Sequence, residues 1–424
     1  MTPHRLLQPV TLQGLHLRNR VVMAPLTRSR AHPDGSANEL MEVYYAQRAS
    51  AGLIVSEGIV VSAQGVAYPD VPGLYTDEQA RSWRPVTRAV HARGGHIFAQ
   101  LWHVGRQSHS SVQPGGALPV APSAIPIRGF SYYRSSGNIP FETPHPLSRE
   151  QIRVVIRQYA AAARRAVAAG FDGVELHAAN GYLIDQFLNS ASNERSDEYG
   201  GSVANRARFL LEIIEEVARE IPRGRIGVRL SPSSRWMDAL DEDKSALHHH
   251  VVSALAGRGL AYLHLVEPTI AGSTTAEIAS DAVPTAALSE RADTPVIVTG
   301  GHTAASAERL LAEGTADLVG FGRAFIANPD LPERFATGAP LHAHDRRTFY
   351  RGGAEGYVTY PSLAEEERWA VLQDRFRSGE ISPRTLDEHL SRRAPVELAR
   401  DGLLHASREL RSSLFTNPER ETLP

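Results

Sequence analysis

The chain has 424 residues, with 45 basic and 47 acidic side chains and a formal net charge of −2, which excludes an electrostatic grip on nucleic acid or an anionic membrane surface. It has no cysteine, which excludes disulfides, thiolate metal sites, cysteine-ligated iron–sulfur clusters and cysteine nucleophiles. Hydrophobic content of 42% and 22% charged residues suit a soluble globular protein, and neither a leader-like apolar region in Met1–Arg20 nor a membrane-length apolar run is present, so a cytoplasmic enzyme is expected.

In chain order, Pro9–Arg20 reads as a small hairpin turning at Gly14, ahead of the apolar segment Val21–Ala24. An alternation follows. Leu53–Val61 predicts a strand, Thr76–Arg93 a helix and His96–Leu101 a strand; Gln151–Ala169 predicts a helix with a wide alanine face that leads into a strand at Phe171. Helix Asn205–Glu220 precedes strand Ile226–Leu230, and a helical pattern over Ala246–Ala256 precedes strand Ala261–Val266. Strand Pro295–Thr299, helix Thr303–Glu313 and strand Asp317–Phe321 complete the series. Parallel strands need connections of helix length, and eight strands counted from Val21 fit an α/β fold of the closed (β/α)₈ TIM-barrel kind better than an open sheet.

The barrel pattern ends near Leu363. Beyond it, Trp369, Leu372 and Phe376 fall at helical spacing, Ser382 and Pro383 suit a helix start, and Leu403, Leu410 and Leu414 mark a later stripe. The expected organisation is a barrel domain over residues 1–363 with an N-terminal hairpin cap, and a helical C-terminal extension over 364–424. That extension suits a flap on its own barrel or a homodimerisation arm.

Such barrels carry their chemistry at the carboxyl ends of the strands. There stand Pro25 and Thr27 after the first strand, Glu57 and Gly58 on the second, and Gln100, Trp102 and His103 on the third. The fourth gives His177, Asn180 and Tyr182 within FDGVELHAANGYLIDQF, the fifth Arg229, and the sixth His264 and Glu267. Gly300 and Gly301 end the seventh; Gly322 and Arg323 end the eighth. His177 and Asn180 can direct N–H groups at one oxygen, and Tyr182 carries a phenol able to give up a proton. The same residues also suit structure, with His177 satisfying a buried carbonyl and Tyr182 a packed ring. Gly301, Gly322 and Arg323 suit a phosphate, since glycine permits close approach of the backbone and arginine offers a forked charge, although glycines there also simply make turns.

Few acids accompany these groups, unlike the paired carboxylates of a glycosidase or the clustered ligands of a metal hydrolase. His248, His249 and His250 are adjacent, point in three directions on a helix and read as a solvated face, so no metal is expected. Lys244, the one lysine, lies in a charged connection rather than at a strand end, which argues against a Schiff-base aldolase, and Ser231 lacks an elbow motif.

With these residues assembled, the chain resembles the old yellow enzyme family of flavin-dependent ene-reductases over about Leu6–Leu363. The matching stretches are MAPLTRSRA, AQLWHVGRQSH, HAANGYLIDQFLNSASNERSDEYGGSVANRARF, GVRLSP, VTGGHT, LVGFGRAFIANPDL and TFYRGGAEGYVTYP. The resemblance implies FMN over the barrel mouth, with Pro25, Thr27, Gly58, Gln100 and Arg229 around its ring system and Gly301, Gly322 and Arg323 at its phosphate. It also implies that His177 and Asn180 bind the carbonyl oxygen of an enone, that Tyr182 protonates the α-carbon, and that Tyr68, Trp102 and Tyr350 shape the pocket. Thr27 stands where another branch of the family has cysteine. Gly58 stands where many relatives have alanine, a change expected to matter only for local packing. Thr269–Ala287 and Pro126–Pro146, with Tyr132 and Tyr133, match weakly at the substrate mouth.

The expected activity is transfer of hydride from NADPH or NADH through FMN to the activated C=C bond of an α,β-unsaturated carbonyl or nitro compound. Three alternatives stand beside it: a flavin-dependent desaturase or isomerase on the same site, a non-redox barrel lyase or isomerase, and a flavin-binding protein without turnover.

Overall fold

In a computed structural model that describes residues 5–132, 137–271, 274–378, 380 and 382, eight parallel strands close on themselves. They are β1 (Val21–Met23), β2 (Leu53–Val60), β3 (Ile97–Trp102), β4 (Gly173–Ala178), β5 (Ile226–Leu230), β6 (Tyr262–Val266), β7 (Val296–Thr299) and β8 (Leu318–Phe321). Each pairs with its neighbour in sequence, and β8 pairs with β1, so no strand edge is left open. Around them run α1 (Glu39–Gln47), α2 (Asp77–His91), α3 (Arg149–Ala168), α4 (Val203–Glu220), α5 (Lys244–Leu255), α6 (Thr285–Ser289), α7 (Ala304–Glu313) and α8 (Leu331–Thr337). This is the (β/α)₈ barrel that the alternation predicts.

The helices start where their caps dictate. Ser148 Oγ accepts the Gln151 N–H while Gln151 Oε1 accepts the Ser148 N–H, so α3 begins at Arg149, ahead of the predicted Gln151. Its alanines Ala160, Ala162, Ala163 and Ala166 are buried, as a wide small-residue face allows. One expectation is corrected on α5. His248 is buried rather than solvated, because its Nδ1 lies 2.8 Å from the Lys244 carbonyl and turns the ring inward.

The predicted hairpin pairs Val10 with Leu17 through Gln13 and Gly14, both at positive φ, as a two-residue turn requires. Leu12 and Leu17 pack on Val22, Leu53, Val55, Phe98 and Ile297 and close the lower end of the barrel. Chemistry is therefore left to the other end. There β2 slips its register between Val55 and Gly58, and Glu57 meets the Tyr45 hydroxyl on α1 instead of the barrel mouth.

After the barrel, a further helix, α9 (Leu363–Arg377), lies on α8. The Leu363 N–H donates to Asp330 Oδ2 (2.6 Å), Arg334 Nη2 to Glu366 Oε1 (2.5 Å), and Trp369 is buried. Tyr133, Pro383, Leu403, Leu410 and Leu414 lie outside the described residues. No helix among the described residues is long and apolar enough to cross a membrane.

Candidate active site

The exit of β4 sets the geometry of the site. Asn180 and Gly181 both take the left-handed conformation, at φ +57° and +73°, so the chain reverses at once and Tyr182 caps the short helix Leu183–Leu188. Asparagine tolerates that conformation better than most residues. It is also held from both sides: the Asn180 N–H donates to Ser231 Oγ and its carbonyl accepts from Gln107 Nε2, each at 2.8 Å. Three side chains spaced along six residues are thereby brought to one cavity.

That cavity measures about 980 Å³ and opens at the carboxyl ends of the strands. Trp102 lies on its wall, 5.9 Å from the Tyr68 ring in a stacked arrangement and 4.9 Å from the Tyr182 ring edge-on. His177 meets Tyr182 edge-on at 4.9 Å. Burial, then the neighbouring phenols of Tyr68 and Tyr350, push the Tyr182 phenol well above its ordinary pKa, so it keeps its proton. Burial pushes the Tyr68 phenol up to about 12. His177 is held well below the ordinary histidine range by burial and then by Arg229 and His264, which makes it a neutral imidazole with one N–H to offer.

The other end of the cavity is cationic. Gly301 at the end of β7 takes φ +74°, and a Cβ there would stand 3.5 Å from Arg323 Nη2. At Gly322 a Cβ would stand 3.3 Å from Leu26 Cδ2. His344 is held below its ordinary range by burial, then by Arg323 and Arg346. No aspartate or glutamate lies on the wall among the described residues, while Arg229, Arg323, Arg346 and Arg351 do.

These features fit FMN. Arg229 Nε and His177 Nδ1 are buried without a hydrogen-bond partner among the described residues, and buried polar atoms beside a cavity are groups that a ligand satisfies. Carboxylate-free walls suit an anionic phosphate, and the glycine backbones leave it room. Pro25, Thr27, Gln100 and Arg229 line the same space toward the barrel floor.

Of the residues singled out from sequence, Pro25, Thr27, Tyr68, Gln100, Trp102, His177, Asn180, Tyr182, Arg229, Gly301, Gly322, Arg323 and Tyr350 all line this one cavity. Gly58 does not. It lies behind Trp102, where a Cβ would come within 2.4 Å of the indole, so an alanine here would displace the ring rather than matter only for local packing. His264 and Glu57 also leave the rim, His264 into the barrel interior and Glu57 toward α1. Sequence reasoning missed Trp236, Met237 and Phe141, which reach the wall from long connections outside the strand rhythm, and His302, His344 and Arg346, whose basic character was the available signal. Tyr132, noted only in passing, lines the mouth and donates to the Ala67 carbonyl.

A (β/α)₈ barrel whose cavity has no carboxylate on its wall among the described residues, with Gly301, Gly322 and Arg323 at the ends of β7 and β8 and His177, Asn180 and Tyr182 on the same wall, suits a flavin-dependent oxidoreductase. The sequence profile of the NADH:flavin oxidoreductase / NADH oxidase family matches residues 5–342. The chain belongs to this family and is of the old yellow enzyme type. It is 41% identical to 12-oxophytodienoate reductase 2 of Arabidopsis thaliana over 361 residues, 84% of this chain and 96% of that protein. Morphinone reductase superposes with a TM-score of 0.80 at 44% identity, covering 86% of this chain and 97% of that one. The old yellow enzyme homologue from Zymomonas mobilis gives a TM-score of 0.80 at 40% identity, covering 85% and 100%.

Proposed function

We propose that the chain reduces the C=C bond of α,β-unsaturated carbonyl or nitro compounds with NADPH or NADH, and that the named cavity residues divide the work. The observation that carries this reading is the convergence of two neutral donors, His177 and Asn180, and one protonated phenol, Tyr182, on a single cavity without carboxylates. Bound FMN supplies the hydride that the nicotinamide provides. His177 and Asn180 hold the carbonyl or nitro oxygen and draw electron density from the double bond, which makes its β-carbon electrophilic. Tyr182 gives its proton to the α-carbon. Trp102, Tyr68 and Tyr350 confine the substrate beneath the mouth.

Around the cofactor, Arg229 offsets the charge that reduction places on the ring system, and Thr27, Pro25 and Gln100 orient that ring. Gly301, Gly322 and Arg323 take the phosphate. Reliance on a soluble reduced nicotinamide supports a cytoplasmic enzyme. We take residues 1–363 as the catalytic unit and 364–424 as an appended helical segment; the packing of α9 on α8 supports a flap on its own barrel rather than a homodimerisation arm. Light scattering of the full chain tests that choice, and a dimer that truncation after Ser362 converts to monomer contradicts it.

The purified protein is expected to be yellow, to bleach with NADPH or NADH in the absence of oxygen, and to recolour with one or more members of a panel of cyclic enones, maleimides and nitroalkenes. Their saturated counterparts separate reduction from desaturation. A colourless protein that FMN does not reconstitute, or a reduced protein that no activated alkene reoxidises, overturns the reading.

A further inference from the structure

The barrel interior holds a carboxylate that none of these roles uses. Glu175 on β4 is wholly buried, and its hydrogen-bond partners come from two other strands, β3 and β6. Gln100 Nε2 donates to Glu175 Oε1 at 2.8 Å, and His264 Nδ1 lies 2.8 Å from Glu175 Oε2. His264 Nε2 in turn lies 2.7 Å from the Thr299 hydroxyl. Gly227, opposite Glu175 on β5, makes room for the Tyr262 ring, which a Cβ there would approach to 2.3 Å. The network is thus built, with every reach across the barrel made by a short contact.

Its charge state follows from those contacts. Burial alone pushes the Glu175 carboxyl up, but His264, Arg229 and Gln100 outweigh burial and hold it below the ordinary carboxylate range. Burial holds His264 below the ordinary histidine range against the pull of Glu175, and the ring keeps Nδ1 toward the carboxylate and Nε2 toward the Thr299 hydroxyl. An unpaired buried carboxylate destabilises a fold, which makes one retained in the barrel interior, in contact with Gln100 of the cavity wall, a candidate for function.

We propose that Glu175 is a positioning residue for the flavin site, fixing the Gln100 amide and offsetting part of the positive field of Arg229. This rests on the FMN reading above. A carboxylate can only accept hydrogen bonds, so the nitrogen of the Gln100 amide must face Glu175, and its carbonyl is the atom presented toward the cavity. The imide N–H of a flavin ring is the complementary donor. Arg229, on the strand paired with β4, favours negative charge on a reduced ring, and the negative charge of Glu175 weakens that preference. Glu175 therefore holds the bound cofactor at a lower potential, where it remains a strong hydride donor.

The test is the midpoint potential of FMN bound to the full chain and to three variants. Glu175→Gln is expected to favour the reduced flavin at least tenfold, about 30 mV for a two-electron couple. Glu175→Asp, which keeps the charge, is expected to restore most of the wild-type value. His264→Leu removes the donor that keeps the carboxylate charged, so its potential is expected to match wild type at pH 8 and to approach that of Glu175→Gln as pH falls to 6. An unmoved or lowered potential in Glu175→Gln overturns the inference. Should that variant not fold, His264→Leu decides alone, and a pH dependence parallel to wild type overturns it. A wild-type protein that takes up no FMN removes the flavin reading and this inference together; FMN uptake with unmoved variants removes only the latter.

Discussion

The ring of Tyr182 meets the ring of His177 edge-on, with 4.9 Å between centroids. His177 is buried and Tyr182 half-buried, and desolvation moves them in opposite directions, the phenol well above 10.0 and the imidazole well below 6.5. Neither changes protonation between pH 6 and pH 9. Reoxidation of the reduced enzyme by an enone is therefore expected to proceed at a rate that varies less than about threefold from pH 6 to pH 8. Single-turnover kinetics across that range check this, and an inflection near pH 6.5 that disappears in His177→Asn contradicts the neutral assignment.

Arg323 lines the cationic end of the cavity, where the proposed phosphate site lies. Arg323→Ala is expected to weaken FMN binding about tenfold or more, because a charge-assisted contact is removed, and to leave riboflavin binding unchanged because riboflavin has no phosphate. Titration of apoprotein with each flavin checks this. Equal losses for the two would place Arg323 elsewhere in the site.

Asp185 offers a stability test away from the chemistry. Burial pushes its carboxyl up to about 7, against the Gly181 N–H that it accepts at 2.7 Å. The folded state thus binds this proton more tightly than the unfolded chain, whose value is 3.8. Stability from this group is full below pH 4 and is lost as pH rises through 7. Asp185→Asn keeps an acceptor for Gly181 and removes the titration, so its stability is expected to exceed that of wild type by up to about 4 kcal/mol at pH 8 and to match it at pH 4. Denaturant curves at the two pH values decide, and a difference independent of pH contradicts the assignment.

Much of this arrangement is legible in the sequence because barrels place function by a simple rule. Once eight alternating strands are counted, the residue after each apolar run is a rim residue, and His177, Arg229 and Arg323 are found that way. Facing is harder. Gly58 and Glu57 sit at a register slip in β2, which no period-two reading anticipates, and Glu175 reads as one polar residue in an apolar strand until closure of the barrel turns it toward Gln100 and His264. Trp236 and Met237 reach the mouth from a connection whose path depends on tertiary contacts such as Phe130 against Trp236, 5.3 Å apart.

Gly58 gives that slip an experimental consequence. A Cβ there would stand 2.4 Å from Trp102 Cε3 and 2.8 Å from Cδ2, so the indole must move. Gly58→Ala is expected to destabilise the protein by about 1–3 kcal/mol and to slow enone reduction more than flavin reduction, since Trp102 supports Tyr68 and Tyr182. Thermal melting and the two half-reactions check this. A variant as stable and active as wild type shows that the indole relaxes freely.

The division of labour in the cavity is tested most directly by anaerobic stopped-flow spectroscopy of Tyr182→Phe loaded with FMN, following bleaching by NADPH or NADH and then recolouring by cyclohexenone. Bleaching needs no proton delivered to carbon and is expected at close to the wild-type rate. Recolouring needs one, and loss of a positioned general acid is expected to slow it about 10²- to 10⁴-fold. Recolouring as fast as wild type, or loss of both phases while FMN stays bound, contradicts the role given to Tyr182 and with it the proposed mechanism.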